Sequence, residues 1–168
     1  MKRILLLLSL VIIASCTNAQ QPDNTHKPKP IAPYRIFTTD SVFVTPVNLP
    51  KGKPVMIIYF SPDCSHCQRM MYELKPKLKQ LSHIQVVMIT WSAKYDIRAI
   101  REFKRDYGLK SQPNFIIGSE GYTRLVQNYY NIQTTPFIAL YNSNGALLKY
   151  LNKVPKTEDI LAGVKQLH

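Results

Sequence analysis

The chain has 168 residues, 45% of them apolar and 19% charged, enough apolar side chains for one globular core. That balance excludes a collagen-like chain, a disordered chain and a multi-span membrane protein. Lys and Arg number 22 against 10 Asp and Glu, a net charge of +12, and three Cys are too few for a disulfide-dense scaffold.

Residues 1–15 read as a targeting segment. Lys2 and Arg3 are a positive start, and residues 4–13 form an apolar run broken only by Ser9. The run falls short of the roughly 20 residues a bilayer span needs. The order Ile13-Ala14-Ser15-Cys16 resembles a bacterial lipobox, which implies cleavage before Cys16 and lipidation of that residue. The competing reading is ordinary cleavage after Ala19, with Cys16 discarded. Removing the signal takes Lys2 and Arg3 and no acid, leaving +10. The resemblance implies an exported protein lipid-anchored to a bacterial membrane, and a periplasm-facing setting fits it.

Residues 16–33 follow as the lipidated Cys and a tether carrying Pro22, Pro28, Pro30 and Pro33. They show no apolar periodicity, as expected of a semi-extended spacer. The folded domain is expected over 34–168. Residues 35–44 read as a β-hairpin turning at Thr39-Asp40-Ser41. Residues 55–60 are a continuous apolar run, the mark of a strand buried on both faces. Met70, Met71, Leu74, Leu78 and Leu81 recur at helical spacing, with a kink expected at Pro76. Residues 84–90 are a second buried strand. Asp96 is placed to cap a helix bearing Ile97, Ile100, Phe103 and Tyr107, which Gly108 ends.

A short strand is expected at 114–117 and a short helix at 122–130. Residues 137–141 and 146–151 are strands around the turn Asn142-Ser143-Asn144-Gly145. Thr157 is expected to cap a last helix with Ile160, Leu161, Val164 and Leu167 inward. The alternation of strands and helices predicts an α/β fold with a central mixed sheet.

Basic residues cluster at Lys75, Lys77 and Lys79 and at Arg98, Arg101, Lys104 and Arg105. They read as a solvated helix face rather than a nucleic-acid surface, because export removes the nucleic acid. The charge still favours anionic lipid or acidic partners.

The chemistry concentrates in Cys64-Ser65-His66-Cys67, between the 55–60 strand and the helix after it. A helix N-terminus stabilises an anion, so the Cys64 thiolate is favoured there. Cys67 lies about one turn on and can bond to Cys64. A partner disulfide can thus be attacked by Cys64 and resolved by Cys67. His66, between them, is placed to tune the couple. The competing readings are a plain structural disulfide and half of a zinc site. Against the first, so short a loop gives little chain-entropy gain. Against the second, no other Cys pair or spaced His completes a ligand set.

With its setting, this motif resembles the thioredoxin-like superfamily, in particular its membrane-tethered TlpA-like and redoxin-like branch. The carriers are residues 54–60, then Ser61-Pro62-Asp63-Cys64-Ser65-His66-Cys67, and Thr134-Thr135-Pro136-Phe137 further on. The resemblance covers about 34–168 and implies a thioredoxin fold with an N-terminal β-hairpin extension. It implies that Pro136 is a cis-proline facing the dithiol, and that Thr135 and Pro136 bind the partner's backbone by strand addition. It also implies that the dithiol itself is the redox centre, with no organic cofactor and no metal. The partners are then protein thiols or disulfides and an external electron donor or acceptor.

Three positions depart from the family pattern. Asp63 stands where a Trp is usual, Tyr72 where a helix Pro is common, and Ile58 where a buried acid is usual. The last removes the usual proton acceptor, leaving His66, Glu73 or water. Trp91 is expected to pack its loop, its alternative place being the rim of the site. Tyr129 and Tyr130 are expected in the core. The functional expectation is an exported thiol–disulfide oxidoreductase. The alternative is a non-enzymatic lipoprotein binding module with a structural disulfide.

Overall fold

The computed structural model describes residues 29–92 and 96–167. The signal segment, Cys16 and most of the tether lie outside the described residues.

The two apolar runs are the centre of the sheet. β1 (Ile36–Thr38) and β2 (Phe43–Val44) form the expected hairpin, and β3 (Val55–Tyr59) is buried along its whole length. α1 (Ser65–Leu74) leads into a 3-10 segment, Lys75–Leu81, and then β4 (Gln85–Thr90). α2 (Arg98–Asp106), β5 (Phe115–Ser119) and α3 (Leu125–Tyr130) follow. β6 (Phe137–Tyr141), β7 (Leu147–Leu151) and α4 (Thr157–Val164) complete the chain. The seven strands run in the order β2-β1-β5-β4-β3-β6-β7. β3, β4 and β5 are parallel, while β6 runs antiparallel to β3 and β1 antiparallel to β5. This is a mixed sheet flanked by helices, a thioredoxin-like fold carrying an N-terminal hairpin on its β5 edge.

Alternation along β3 divides the core. Met56, Ile58 and Phe60 face α1, α2 and α4, among Met70, Leu74, Ile100, Phe103 and Ile160. Val55, Ile57 and Tyr59 face the other way, toward Val126 and Tyr130 of α3 and Ala32, Tyr34 and Ile36 of the N-terminal stretch. Close packing on the first face sets one glycine. A Cβ on Gly163 of α4 would stand 2.5 Å from Leu140 Cδ1 of β6.

Four local features differ from sequence expectation. Pro76 lacks the N–H that would bond Tyr72, so the α-helix gives way to 3-10 geometry at Lys75 instead of bending. α3 begins at Leu125, because Arg124 takes a left-handed backbone (φ 49°). Thr157 is the first helical residue of α4, and its hydroxyl donates to Glu73 Oε2 at 3.0 Å rather than capping. Packed chain also begins before Tyr34. Ala32 is wholly buried, its N–H bonds the Tyr130 hydroxyl at 3.2 Å, and the Pro30 carbonyl accepts from Tyr129 (2.7 Å) and Tyr141 (3.0 Å). Residues 30–33 are therefore a strap on α3 and β6, held by hydroxyls that no periodicity in the strap itself announces.

No helix among the described residues is long and apolar enough to cross a membrane.

Candidate active site

β3 delivers the chain to the edge of its face and stops. The Phe60 N–H still pairs with the Ile89 carbonyl at 3.0 Å, and then Ser61-Pro62-Asp63 turns the chain into α1. The turn is held by the Cys64 N–H on the Ser61 carbonyl (3.2 Å) and by Gln68 Nε2 on the Pro62 carbonyl (2.8 Å). Cys64 is thus the N-cap of α1, with extended backbone (φ −80°, ψ 115°). Its side chain stands where the first N–H groups of the helix point.

From the opposite side the chain between α3 and β6 brings up Thr135 and Pro136, joined by a cis peptide bond. The Cys64 thiol donates to the Thr135 carbonyl at 3.5 Å. Cys64, Cys67, Thr135 and Pro136 therefore meet, although Thr135 lies 71 residues from Cys64 in the chain. Both cysteines are free thiols, Cys64 half-buried and Cys67 fully buried among the residues of the helical core, Ile58 included.

The two thiols are electrostatically unlike. Burial pushes the Cys64 thiol up, but hydrogen bonds from the Thr135 side chain, from the Cys67 N–H and thiol and from the His66 N–H outweigh it, and the thiol lies below the ordinary range. Cys67 is pushed up to about 12, chiefly by burial, despite a backbone contact from the Ser61 region. One thiol is exposed enough to react and ionises easily, while its neighbour stays protonated until it is called on. Ile58 lies in the same buried cluster, so the surroundings of Cys67 are apolar.

His66 is exposed, and what reaches Cys64 is its main-chain N–H. Glu73, a candidate proton acceptor from the sequence, is held by Arg69 at 3.0 Å and by the Thr157 hydroxyl, at the α1–α4 junction. Trp91 does not simply pack its loop. It is 40% exposed and, with Ser61 and Thr135, lines a cleft of about 190 Å³ beside the dithiol. Tyr130 is in the core as expected, whereas Tyr129 is half-buried under the strap.

Sequence reasoning missed Glu120. It is fully buried at the end of β5, takes the Tyr59 hydroxyl at 2.8 Å on one oxygen and the Val126 N–H at 2.9 Å on the other, and so caps the first turn of α3. Burial raises its carboxyl above the usual range, although these donors oppose the shift. The available signal was an acid a few residues ahead of an apolar helical stretch.

Comparison with known proteins agrees with this architecture. The profile of the thioredoxin-like domain matches residues 47–162. None of the curated proteins matches the chain. Among solved structures, a secreted disulfide oxidoreductase of Mycobacterium tuberculosis, homologous to DsbE of E. coli, is similar with a TM-score of 0.67 at 20% identity, over 80% of this chain and 96% of that one. The exposed lipoprotein thioredoxin Etrx1 of Streptococcus pneumoniae is similar with a TM-score of 0.59 at 18% identity, over 80% of this chain and 98% of that one. StoA of Bacillus subtilis is similar with a TM-score of 0.59 at 16% identity, over the same shares, 80% and 98%. With its dithiol at the head of α1, the Thr135–Pro136 turn opposite and a domain profile over most of its length, the chain belongs to the thioredoxin-like domain family and is a thiol–disulfide oxidoreductase.

Proposed function

We propose that this protein exchanges disulfides with exported protein partners through Cys64 and Cys67, while a lipid on Cys16 holds it to a membrane. The observation that carries the exchange is the asymmetry of the thiols: a half-exposed, easily ionised Cys64 over a buried Cys67 whose thiol is pushed up to about 12.

In the reducing direction the Cys64 thiolate attacks one sulfur of the partner's disulfide. A Cys64–partner bond forms, the partner's S–S bond breaks, and the second partner sulfur leaves as a thiolate that takes up a proton. Cys67 then loses its proton and attacks the Cys64 sulfur. The Cys64–Cys67 bond forms and the first partner sulfur leaves. Two electrons pass from the dithiol to the partner, and an external thiol donor must restore them. The oxidising direction is the reverse. Thr135 and Pro136 would hold the partner's backbone beside Cys64, since the Thr135 carbonyl already contacts its sulfur. The support for export and anchoring is the sequence of residues 1–16, which lie outside the described residues.

The test is capture. In Cys67→Ser, Cys64 still attacks but nothing resolves the product, so mixed disulfides should accumulate on a non-reducing gel. Cys64→Ser should capture few. Equal capture by both variants would overturn the roles. For the anchor, Cys16→Ala should abolish lipid labelling, and undiminished labelling would overturn it.

A further inference from the structure

The cleft beside the dithiol contains more than exchange chemistry requires. Trp91, the lone Trp of the chain, stands at the end of β4, and Tyr122 and Arg124 lie on the loop between β5 and α3. Sheet order brings these segments together, since β4 and β5 are neighbours. Trp91 is 40% exposed and Tyr122 60% exposed, and their rings meet edge to face at 6.2 Å. The Arg124 guanidinium carbon lies 4.9 Å from the Trp91 ring centroid. Stacking on an aromatic face holds a guanidinium in place and leaves its in-plane N–H groups free to donate.

Arg124 forms no ion pair among the described residues. Glu120, four residues earlier, has committed both oxygens to Tyr59 and to the Val126 N–H. Arg124 also occupies the left-handed region, φ 49° and ψ 28°, a conformation that is strained for an L side chain and tends to persist at functional sites. The cleft it enters is lined otherwise by uncharged residues, Tyr59, Ser61, Thr90 and Gln127 among them, and reaches Thr135, whose carbonyl touches the Cys64 thiol. Its volume, about 190 Å³, suits a single side chain rather than a small-molecule cofactor.

We propose that Trp91 and Arg124 form a specificity subsite that selects protein partners carrying an Asp or Glu within two residues of the reactive cysteine. This rests on the disulfide-exchange function proposed above and deepens it by naming the partner's chemistry. The attacked sulfur lies against Cys64 and Thr135. The neighbouring carboxylate enters the cleft and takes two N–H groups of Arg124, a charge-assisted pair in a confined site. The subsite acts on the approach of the partner and leaves the exchange of electrons unchanged.

The test uses the reduced protein and two peptide disulfides that are identical except for Glu or Lys two residues from the cysteine. Wild type should reduce the Glu peptide about tenfold faster, the worth of one charge-assisted hydrogen-bonded pair. Arg124→Gln should remove most of that ratio, and Arg124→Glu should invert it. Lys79→Glu makes the same change in net charge on an exposed residue outside the cleft, and should leave the ratio largely intact. A wild-type ratio near one, a ratio unchanged in Arg124→Gln, or an equal collapse in Lys79→Glu would each overturn the proposal. Failure to reduce either peptide or a small aromatic disulfide would overturn the exchange function itself, and this subsite with it.

Discussion

The Cys64 thiol lies 3.5 Å from the Thr135 carbonyl oxygen, which joins the head of α1 to the turn that opens β6. The two elements are adjacent because β3 and β6 are paired neighbours, with Tyr59 opposite Phe137 at the end of the ladder. The strand that leads to the dithiol and the strand that leads away from Pro136 are thus one antiparallel pair, and the site is built at its end.

The first prediction concerns pH and the buried thiol. The Cys67 thiol in the folded, reduced protein is pushed up to about 12, above the value it has in an unfolded chain. A group raised by folding contributes its stability below the unfolded value and loses it as pH rises toward the folded value. The reduced protein should therefore lose stability above about pH 8.5, where unfolded thiols ionise. The oxidised protein has neither the Cys64 nor the Cys67 thiol to titrate and should lack this component. Below about pH 8.5 the lowered Cys64 thiol acts in the opposite sense, so the difference in unfolding midpoint between oxidised and reduced forms should widen from about pH 8.5 to about pH 10. A constant difference would contradict the assignment.

His66 separates main-chain from side-chain effects. Its N–H acts on the Cys64 sulfur while its side chain is exposed. His66→Ala keeps the N–H and should leave Cys64 acidity nearly unchanged. His66→Pro removes the N–H at a helix position that tolerates Pro, so the Cys64 pKa should rise with the loss of a hydrogen bond to the charged sulfur. With the reduced state then less stabilised, the potential of the couple should fall. The pH dependence of Cys64 alkylation, read in a Cys67→Ser background, gives the first quantity, and equilibration with glutathione buffers gives the second. An equal shift in both variants would assign the effect to the imidazole instead.

Much of this arrangement was legible in the sequence because it is local. The runs at 55–60 and 84–90 are buried on both faces and read as central strands without further context. The cysteine motif announces a helix start, whereas the place of Thr135-Pro136 opposite it came from the family resemblance and not from the residues alone. What was not legible depends on distant partners. The sequence predicts a tether where the strap lies, because Pro30 and Ala32 gain their meaning only from hydroxyls on Tyr129, Tyr130 and Tyr141, about a hundred residues away. Trp91 and Arg124 lie on separate segments, and only the β4–β5 pairing makes them one cleft. The helix expected over 122–130 starts only at Leu125, because the Arg124 backbone is left-handed, which its residue type does not suggest.

The strap yields a stability prediction. A protein beginning at Tyr34 loses the buried Ala32, its N–H bond to Tyr130, and both hydroxyl bonds to Pro30. Tyr130 and Tyr141 still bond each other at 2.6 Å, so part of the network survives. The expected cost relative to a protein beginning at Lys29 is about 2–4 kcal/mol, from three hydrogen bonds and a small apolar burial. Urea unfolding of the two forms measures it, and equal midpoints would mean that the strap contributes nothing to the domain.

The last prediction concerns Glu120, the buried acid that fixes the start of α3. Its two oxygens accept from the Tyr59 hydroxyl and the Val126 N–H, and both donors are buried. Glu120→Ala strands the two at once. Each unsatisfied buried donor costs about 1–3 kcal/mol, so the variant should lose roughly 2–5 kcal/mol. Tyr59→Phe removes one donor, and the double variant should then cost less than the sum of the two single changes, because that hydroxyl no longer needs a partner. Titration gives an independent check. Burial raises the Glu120 carboxyl above its unfolded value, so its contribution is complete below about pH 4.3 and declines as pH rises through the folded value. Glu120→Gln cannot ionise and escapes that decline. The stability of Glu120→Gln relative to wild type should therefore improve between about pH 4 and pH 7, measured by urea unfolding at each pH. A relative stability that worsens over that range would show that the folded protein favours the carboxylate, and that the α3 N–H groups outweigh the burial.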